Sequence, residues 1–378
     1  MLNQSPQASV TIADIEVRIV DIPLLRPHKL AMATISCQTN VVVRIKDQDG
    51  REGWGEAAAI PHYGVETVET ISCVIGKILV PDLIGKSFSG GRNICQFMDK
   101  VLHGHPYAKS AVELAYLDLL SRARAQSIAE YLGGPERDRL PSLWVLGNGI
   151  AEKDIAEAEH LLHNRLFQCF LLKIGASHPD ADIARVRQVA DAIGDRAELR
   201  VDVNQKWDEV TALHNAPKLF DAGISVIEQP VPRSDVAAMS TLTAQSGGRI
   251  MADEPVETMT DALKFIGSRA CSAVSLKVGK NGGAVRTAEI AAVFAGARIP
   301  IFGGTMLESS LGVAAHSQVF STFENLDFGQ QLFGPKLMAA EFVKNPVRFE
   351  EFNLIVPLGP GSGVDIDLDI LRDMTRKN

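Results

Sequence analysis

A chain of 378 residues, 46% hydrophobic and 22% charged, is long enough for one large α/β barrel with extra material or for two to three domains. This composition excludes a disordered or fibrous polypeptide. The formal net charge of −8 argues against nucleic acid or an anionic membrane as the main partner, while leaving room for a local cationic pocket that takes an anionic metabolite. The five cysteines are widely spaced, with no CxxC, which argues against a disulfide framework and a structural zinc site. The N-terminus has no signal-peptide pattern, and no apolar run reaches the ~18 residues of a membrane helix. A cytoplasmic protein is expected.

Val10 to Pro23 alternates like a strand, and Asn40 to Lys46 predicts a second. The turn signal Asp47-Gln-Asp-Gly50, followed by Gly53 to Glu56, predicts a hairpin. Apolar residues at helical spacing predict helices over Glu66–Ile84 and Ala108–Leu132, the second ended by Gly133-Gly134-Pro135. From about Leu140 short apolar runs alternate with amphipathic helical stretches. The runs are Ser142–Leu146, Cys169–Ile174, Glu198–Asp202, Ser225–Glu228, Arg249–Asp253, Ala273–Lys277 and Ile299–Phe302, with a weaker eighth near Asn325–Phe328. Polar residues close these runs at 173, 202, 228, 253 and 277, steps that suit successive βα units. The expected fold class is α/β, a TIM-type (β/α)8 barrel or one with a degenerate helix, preceded by an α+β region. The expected division is 1–136, 137–335 for the barrel, and 336–378 as a tail packing back on the first part.

Barrel active sites form at the C-terminal ends of the strands. There this sequence sets Lys173, Asp202, Glu228, Asp253 and Lys277 on five consecutive runs. Three carboxylates so placed would repel and raise one another's pKa. A hard divalent cation, Mg²⁺ or Mn²⁺, relieves that repulsion, and no histidine at these ends favours zinc. The lysine-bearing runs are four apart and would face each other across an eight-stranded mouth. A cation or a second lysine nearby lowers an amine pKa, which would let a lysine serve as a base. Together these groups suit proton transfer at a carbon α to a carboxylate. A single charged residue at a strand end is ordinarily a cap or an ion-pair partner; five in register are hard to explain that way.

At this point the sequence resembles the muconate-lactonizing (muconate cycloisomerase) subgroup of the enolase superfamily. The matching stretches are Arg26-Pro-His-Lys-Leu-Ala-Met32, Phe170-Leu-Leu-Lys-Ile-Gly175, Arg200-Val-Asp-Val-Asn-Gln205, Ile227-Glu-Gln-Pro230, Ile250-Met-Ala-Asp-Glu254, Leu276-Lys277 with Lys280-Asn-Gly-Gly283, Gly303-Gly-Thr-Met-Leu-Glu308, and Leu332-Phe-Gly-Pro335. The resemblance implies a capping domain over the barrel mouth and Asp202, Glu228 and Asp253 as metal ligands. It implies Lys173 and Lys277 as the acid/base pair, with Lys173 protonating the enolate formed when muconate cyclises. Asn204, Glu254 and Glu308 would be nearby polar groups. His28, Lys29, Met32, Ile60, Tyr63 and Phe333 would close over the substrate and help choose it. The implied partner is a small-molecule carboxylate, and the implied assembly a homo-oligomer, often an octamer.

Two positions depart from the subgroup. Leu171 stands where a second lysine is usual, and Gln331 where a carboxylate is usual. Their charges are of opposite sign, so the losses compensate as one deleted ion pair. Other enolate-forming reactions, racemisation, epimerisation or dehydration, use the same lysines and remain open. A non-catalytic binding paralogue is opposed by the complete set of carboxylates and lysines. His316 reads as a packed core residue, His103-Gly-His105 as a loop, and Trp54 and Trp144 as core or interface residues.

Overall fold

The computed structural model describes residues 9–29, 34–61 and 63–377; Met32 and the side chain of Lys29 lie outside the described residues. Strands β1 (Val10–Lys29), β2 (Thr34–Asp47), β3 (Glu52–Ala58) and β4 (Ser87–Phe88) form an antiparallel sheet in the order β3-β2-β1-β4. The β2–β3 hairpin turns where the sequence predicts, with Gly50 at φ 80° and Asp47 Oδ1 accepting from the amides of Asp49 and Arg51, both at 2.9 Å. Helix Pro106–Ala123 lies directly on β3. A Cβ on Gly53 or Gly55 would come within 2.3 Å of backbone atoms of that helix, so only glycine permits the approach. The helix is buried around most of its circumference and therefore carries no single apolar stripe.

The expected helix Ala108–Leu132 is in fact broken. Arg124 caps the first part, Ala125 takes φ 50°, and a Ser127/Glu130 capping box starts a separate turn at Ile128–Tyr131. That Ser-x-x-Glu was legible in the sequence, and it outweighs the helical spacing.

Strands β5 (Arg139–Pro141) and β6 (Leu143–Leu146) lead into the barrel, followed by β7 (Cys169–Lys173), β8 (Glu198–Asp202), β9 (Ile224–Glu228), β10 (Arg249–Ala252), β11 (Ala273–Leu276) and β12 (Ile301–Gly303). β6 to β12 pair in chain order as one parallel sheet. Most of their residues are buried, as expected where helices cover a parallel sheet. The eighth run, Asn325–Phe328, is not a strand. Gln330 alone bridges to Gly303 on one side and Ser142 on the other, closing the barrel. Gly329 forces this, since at φ 65° it turns the chain and a Cβ there would lie 2.4 Å from Pro141 O.

Beyond the barrel, β13 (Arg348–Glu350) and β14 (Asn353–Ile355) pair with β5 in the order β13-β14-β5. Helix Leu368–Met374 then brings the chain against β1, where Thr375 bridges Val20 and Arg376 holds Asp21 at 2.7 Å. Among the described residues no helix is long and apolar enough to cross a membrane.

Candidate active site

Strand register builds the site. Lys173 pairs with Asp202 and Asp202 with Glu228, so three charged residues lie abreast across β7, β8 and β9. On β10 the residue abreast of Glu228 is Met251, and Asp253 comes two residues later on the same face. Lys277 similarly follows the end of β11. This stagger is the shear of a closed barrel, and it carries the ring of side chains round the mouth.

One cavity is lined by Lys173, Asp202, Asn204, Glu228 and Lys277 from the barrel strands and the residues beyond them. Thr305, Met306, Leu307, Gln331 and Phe333 line another side, and His28, Ile60 and Tyr63 from the N-terminal region close it. Of the residues expected at the substrate, His28, Ile60, Tyr63, Gln331 and Phe333 therefore meet around one space. Leu171 does not line it; it is buried in the barrel core two residues before Lys173. Glu254 and Glu308 stand behind the lining, Glu254 against Asn204 Nδ2 at 3.3 Å and Glu308 accepting from the Thr305 hydroxyl and the Met306 amide.

The charges are tightly paired. Lys173 Nζ donates to Asp202 Oδ2, whose carboxylate also accepts from Asn204 N at 2.8 Å and Nδ2 at 2.9 Å. Asp253 accepts from Lys277 at 2.6 Å, from the Tyr63 hydroxyl at 2.8 Å and from Lys280 at 2.9 Å. Lys277 Nζ sits 3.8 Å from the centre of the Tyr63 ring, a cation–π contact that adds to its ion pair. In the sequence Lys280 stood out only within the matching stretch Lys280-Asn-Gly-Gly283. Its direct hold on Asp253 is a tertiary fact.

Burial and neighbours set the protonation states. Burial opposes charge on Lys173, but the Asp202 and Glu228 carboxylates outweigh it and hold the ammonium above its ordinary value. Glu228 is pushed well up by burial and then by Asp202 and Asp253. Asp253 is held low because Lys277 and Lys280 overcome its burial. Burial, with help from Asp253 and Asp202, lifts Glu254 to about 7, and one of its oxygens, Oε2, is buried without a partner. His28 is pushed down to about 3 by burial and by Lys173 and Arg26, so it is neutral, with Nδ1 unpartnered. Its ring lies 5.8 Å from Phe333, which in turn lies 5.0 Å from Trp144.

His316 is a core residue, as expected, with both ring nitrogens buried and without a hydrogen bond, Nδ1 lying 3.7 Å from Glu308 Oε1. Trp54 and Trp144 are buried. Thr305, Met306 and Leu307 were quoted in the sequence only within a motif. Their presence in the lining depends on the chain reversal after β12, where Leu307 takes φ 67°.

Residues 14–133 match the mandelate racemase/muconate lactonizing enzyme N-terminal domain, and residues 153–370 match the enolase C-terminal domain-like family. The chain is 40% identical to muconate cycloisomerase 1 of Pseudomonas putida, over 98% of this chain and 100% of that protein. It is 38% identical to a chloromuconate cycloisomerase of Pseudomonas sp. (strain P51), over 97% and 99%. Its fold is similar to a crystal structure of muconate lactonizing enzyme from Pseudomonas fluorescens complexed with muconolactone, with TM-score 0.96 and 40% identity over 98% and 100% of the two chains. It is also similar to 2-chloromuconate cycloisomerase from Rhodococcus opacus 1CP, with TM-score 0.94 and 37% identity over 97% and 100%.

Proposed function

The chain belongs to the mandelate racemase/muconate lactonizing enzyme family of the enolase superfamily, and from that premise we propose that it interconverts cis,cis-muconate, or a substituted muconate, with the corresponding muconolactone. The observation that carries this reading is the single cavity in which strand-end carboxylates and two lysines from opposite sides of the barrel meet. In this reading the chain divides into the capping residues 1–136, the barrel 137–335 and the tail 336–378.

Asp202, Glu228 and Asp253 are assigned to a divalent cation, Mg²⁺ or Mn²⁺. Among the described residues no three acidic, histidine or cysteine side chains stand in a metal-holding arrangement as they are, because Asp202 and Asp253 are turned onto lysines. The donor chemistry nevertheless fits a hard cation. Three buried carboxylates gather at adjacent strand ends, and burial and mutual repulsion leave Glu228 resisting ionisation. When bound, the cation supplies Lewis-acid stabilisation of negative charge on a substrate carboxylate.

The rest is done by the chain. One muconate carboxylate oxygen forms a bond to the carbon β to the other carboxylate. The displaced π electrons move onto that second carboxylate as an enolate. Lys173 Nζ, acting as an ammonium, gives its proton to the α-carbon and completes the lactone. Lys277 Nζ stabilises the developing charge from the facing strand and protonates nothing in this direction. Neutral His28, with Ile60, Tyr63 and Phe333, excludes water and bounds the substrate, and the family resemblance adds Lys29 and Met32 to the residues that choose it. Gln331 offers a neutral hydrogen-bonding group, and Asn204, itself held by Glu254, holds Asp202 in place.

The test is loss of diene absorbance when cis,cis-muconate or a chloromuconate is added with Mn²⁺, and with EDTA. Metal-dependent loss that EDTA stops is the expected result. No loss on any muconate, with metal shown to be bound, would overturn the reading. It would turn attention to deuterium exchange at the α-carbon of amino-acid derivatives, the signature of a racemase or epimerase.

A further inference from the structure

The Thr305–Leu307 wall of the cavity is held from behind by the N-terminal region. Glu56, on β3, is only 1% exposed. Its Oε1 accepts from Ser309 N at 3.0 Å and from Asn40 Nδ2. Its Oε2 accepts from the Ser309 hydroxyl at 2.6 Å and from Gly312 N at 2.7 Å. Asn40, in turn, receives Gln38 Nε2 at 2.8 Å and reaches Leu307 O at 3.4 Å. Ser309 and Gly312 open helix Ser310–Ser321, where an anion also meets free amides and the positive end of the helix dipole. Gly312 is what lets the carboxylate in, since a Cβ there would lie 2.8 Å from Glu56 Oε2.

The same strand continues into the other wall. β3 ends at Ala58, and Ile60 and Tyr63 follow at once and line the cavity. On the barrel side, Thr305, Met306 and Leu307 are folded around Glu308, with Leu307 N donating to Thr305 Oγ1 at 2.9 Å. Among the described residues no hydrogen bond joins Ile60 or Tyr63 to Thr305–Leu307 across the cavity itself. They are tied behind it, through Glu56.

We propose that Glu56 is a positioning residue that sets the separation of the Ile60/Tyr63 wall from the Thr305–Leu307 wall, and so determines which substituted muconates the site accepts. The inference deepens the cycloisomerase reading and rests on it for the substrate class. Glu56 touches neither the metal ligands nor the lysines, so its loss should leave the chemistry intact while changing fit.

The experiment compares wild type with Glu56→Gln, which keeps the shape but sets an amide N–H against amide and hydroxyl donors. Ser309→Ala serves as the milder variant should the first fail to fold. The measurements are KM and kcat for muconate and a chloromuconate, together with amide hydrogen exchange over residues 304–313. The expected result is faster exchange in that segment, KM for muconate raised about tenfold with kcat nearly unchanged, and an altered muconate/chloromuconate ratio of kcat/KM. Tenfold is the low end of what a methylene-sized change in an apolar pocket does to discrimination. A lower melting temperature with unchanged exchange in 304–313 would overturn the proposal. So would faster exchange with unchanged KM and selectivity, since Glu56 would then be structural only. If wild type turns over no muconate, the reading of the reaction fails; the substrate-selectivity claim falls with it, and the exchange arm still decides whether Glu56 holds the wall.

Discussion

Asp253→Asn tests the electrostatic centre of the site in two ways. In the absence of metal, Asp253 is the anion that keeps two ammonium groups buried, Lys277 at 2.6 Å and Lys280 at 2.9 Å, with the three side chains between 1% and 8% exposed. Removing one partner of a buried ion pair costs about 3–5 kcal/mol, because the other charge is left uncompensated. Asparagine keeps one acceptor oxygen but turns an N–H donor toward a cation. The loss is partly limited, since Lys280 still donates to the main-chain oxygens of residue 253 and Ser275, and Lys277 keeps the Tyr63 ring. The lower end, about 3 kcal/mol, is therefore expected. Urea unfolding in EDTA at pH 7 should show it. The sign of the pH dependence follows from the lowered pKa of Asp253: the wild-type advantage is fully present above the ordinary aspartate value, ~3.9, and is lost as pH falls through the lower folded-state value. The variant should lack that acid limb and, with Mn²⁺ added, should show no turnover. An unchanged unfolding midpoint in EDTA would refute the ion-pair account, and full Mn²⁺-dependent activity would refute the ligand assignment.

Lys173→Met should lower kcat by about 10²–10⁴-fold, the usual worth of a positioned proton donor. It should also tighten Mn²⁺ binding, because the ammonium that occupies Asp202 is gone; weaker binding by electron paramagnetic resonance would contradict the pairing. Metal uptake should release protons and weaken as pH falls, since Glu228 is pushed well up by burial and by Asp202 and Asp253, and ligands must ionise to bind. Calorimetry in two buffers of different ionisation heat measures this, and zero net proton release would be the contrary result. His316→Leu should stabilise the protein by about 1–3 kcal/mol by removing two buried nitrogens that make no hydrogen bond. Burial pushes His316 down to about 3, so the unfolded chain takes up a proton that the folded one refuses. Stability should fall by up to about 5 kcal/mol as pH drops from 6.5 toward 3, and His316→Leu should lose that slope in urea titrations.

Much of the site was legible because its chemistry is tied to local grammar. A residue that closes a parallel strand points its side chain by the period of the strand, so Lys173, Asp202, Glu228, Asp253 and Lys277 could be placed before any coordinate was known. In the structure Asp208, Asp235 and Thr258 cap the helices that alternate with these strands. The Leu171 and Gln331 departures were visible too. Their compensation as a deleted ion pair requires that they meet, and the structure puts Gln331 in the cavity lining and Leu171 in the core.

Other features depend on partners far along the chain. The barrel's eighth position is closed by Gln330 alone, through neighbours that the apolar run at 325–328 does not identify. The elevation of Lys173 comes from Asp202 and Glu228, carboxylates that strand pairing brings beside it. Lys280 on Asp253, and Glu56 on Ser309 some 250 residues away, are invisible to periodicity. The sequence by itself determined the class of fold and the type of chemistry, since strand period and residue acidity are local properties. Only tertiary structure decided which charges neutralise one another and how wide the cavity is, because both depend on distances between segments that no spacing along the chain encodes.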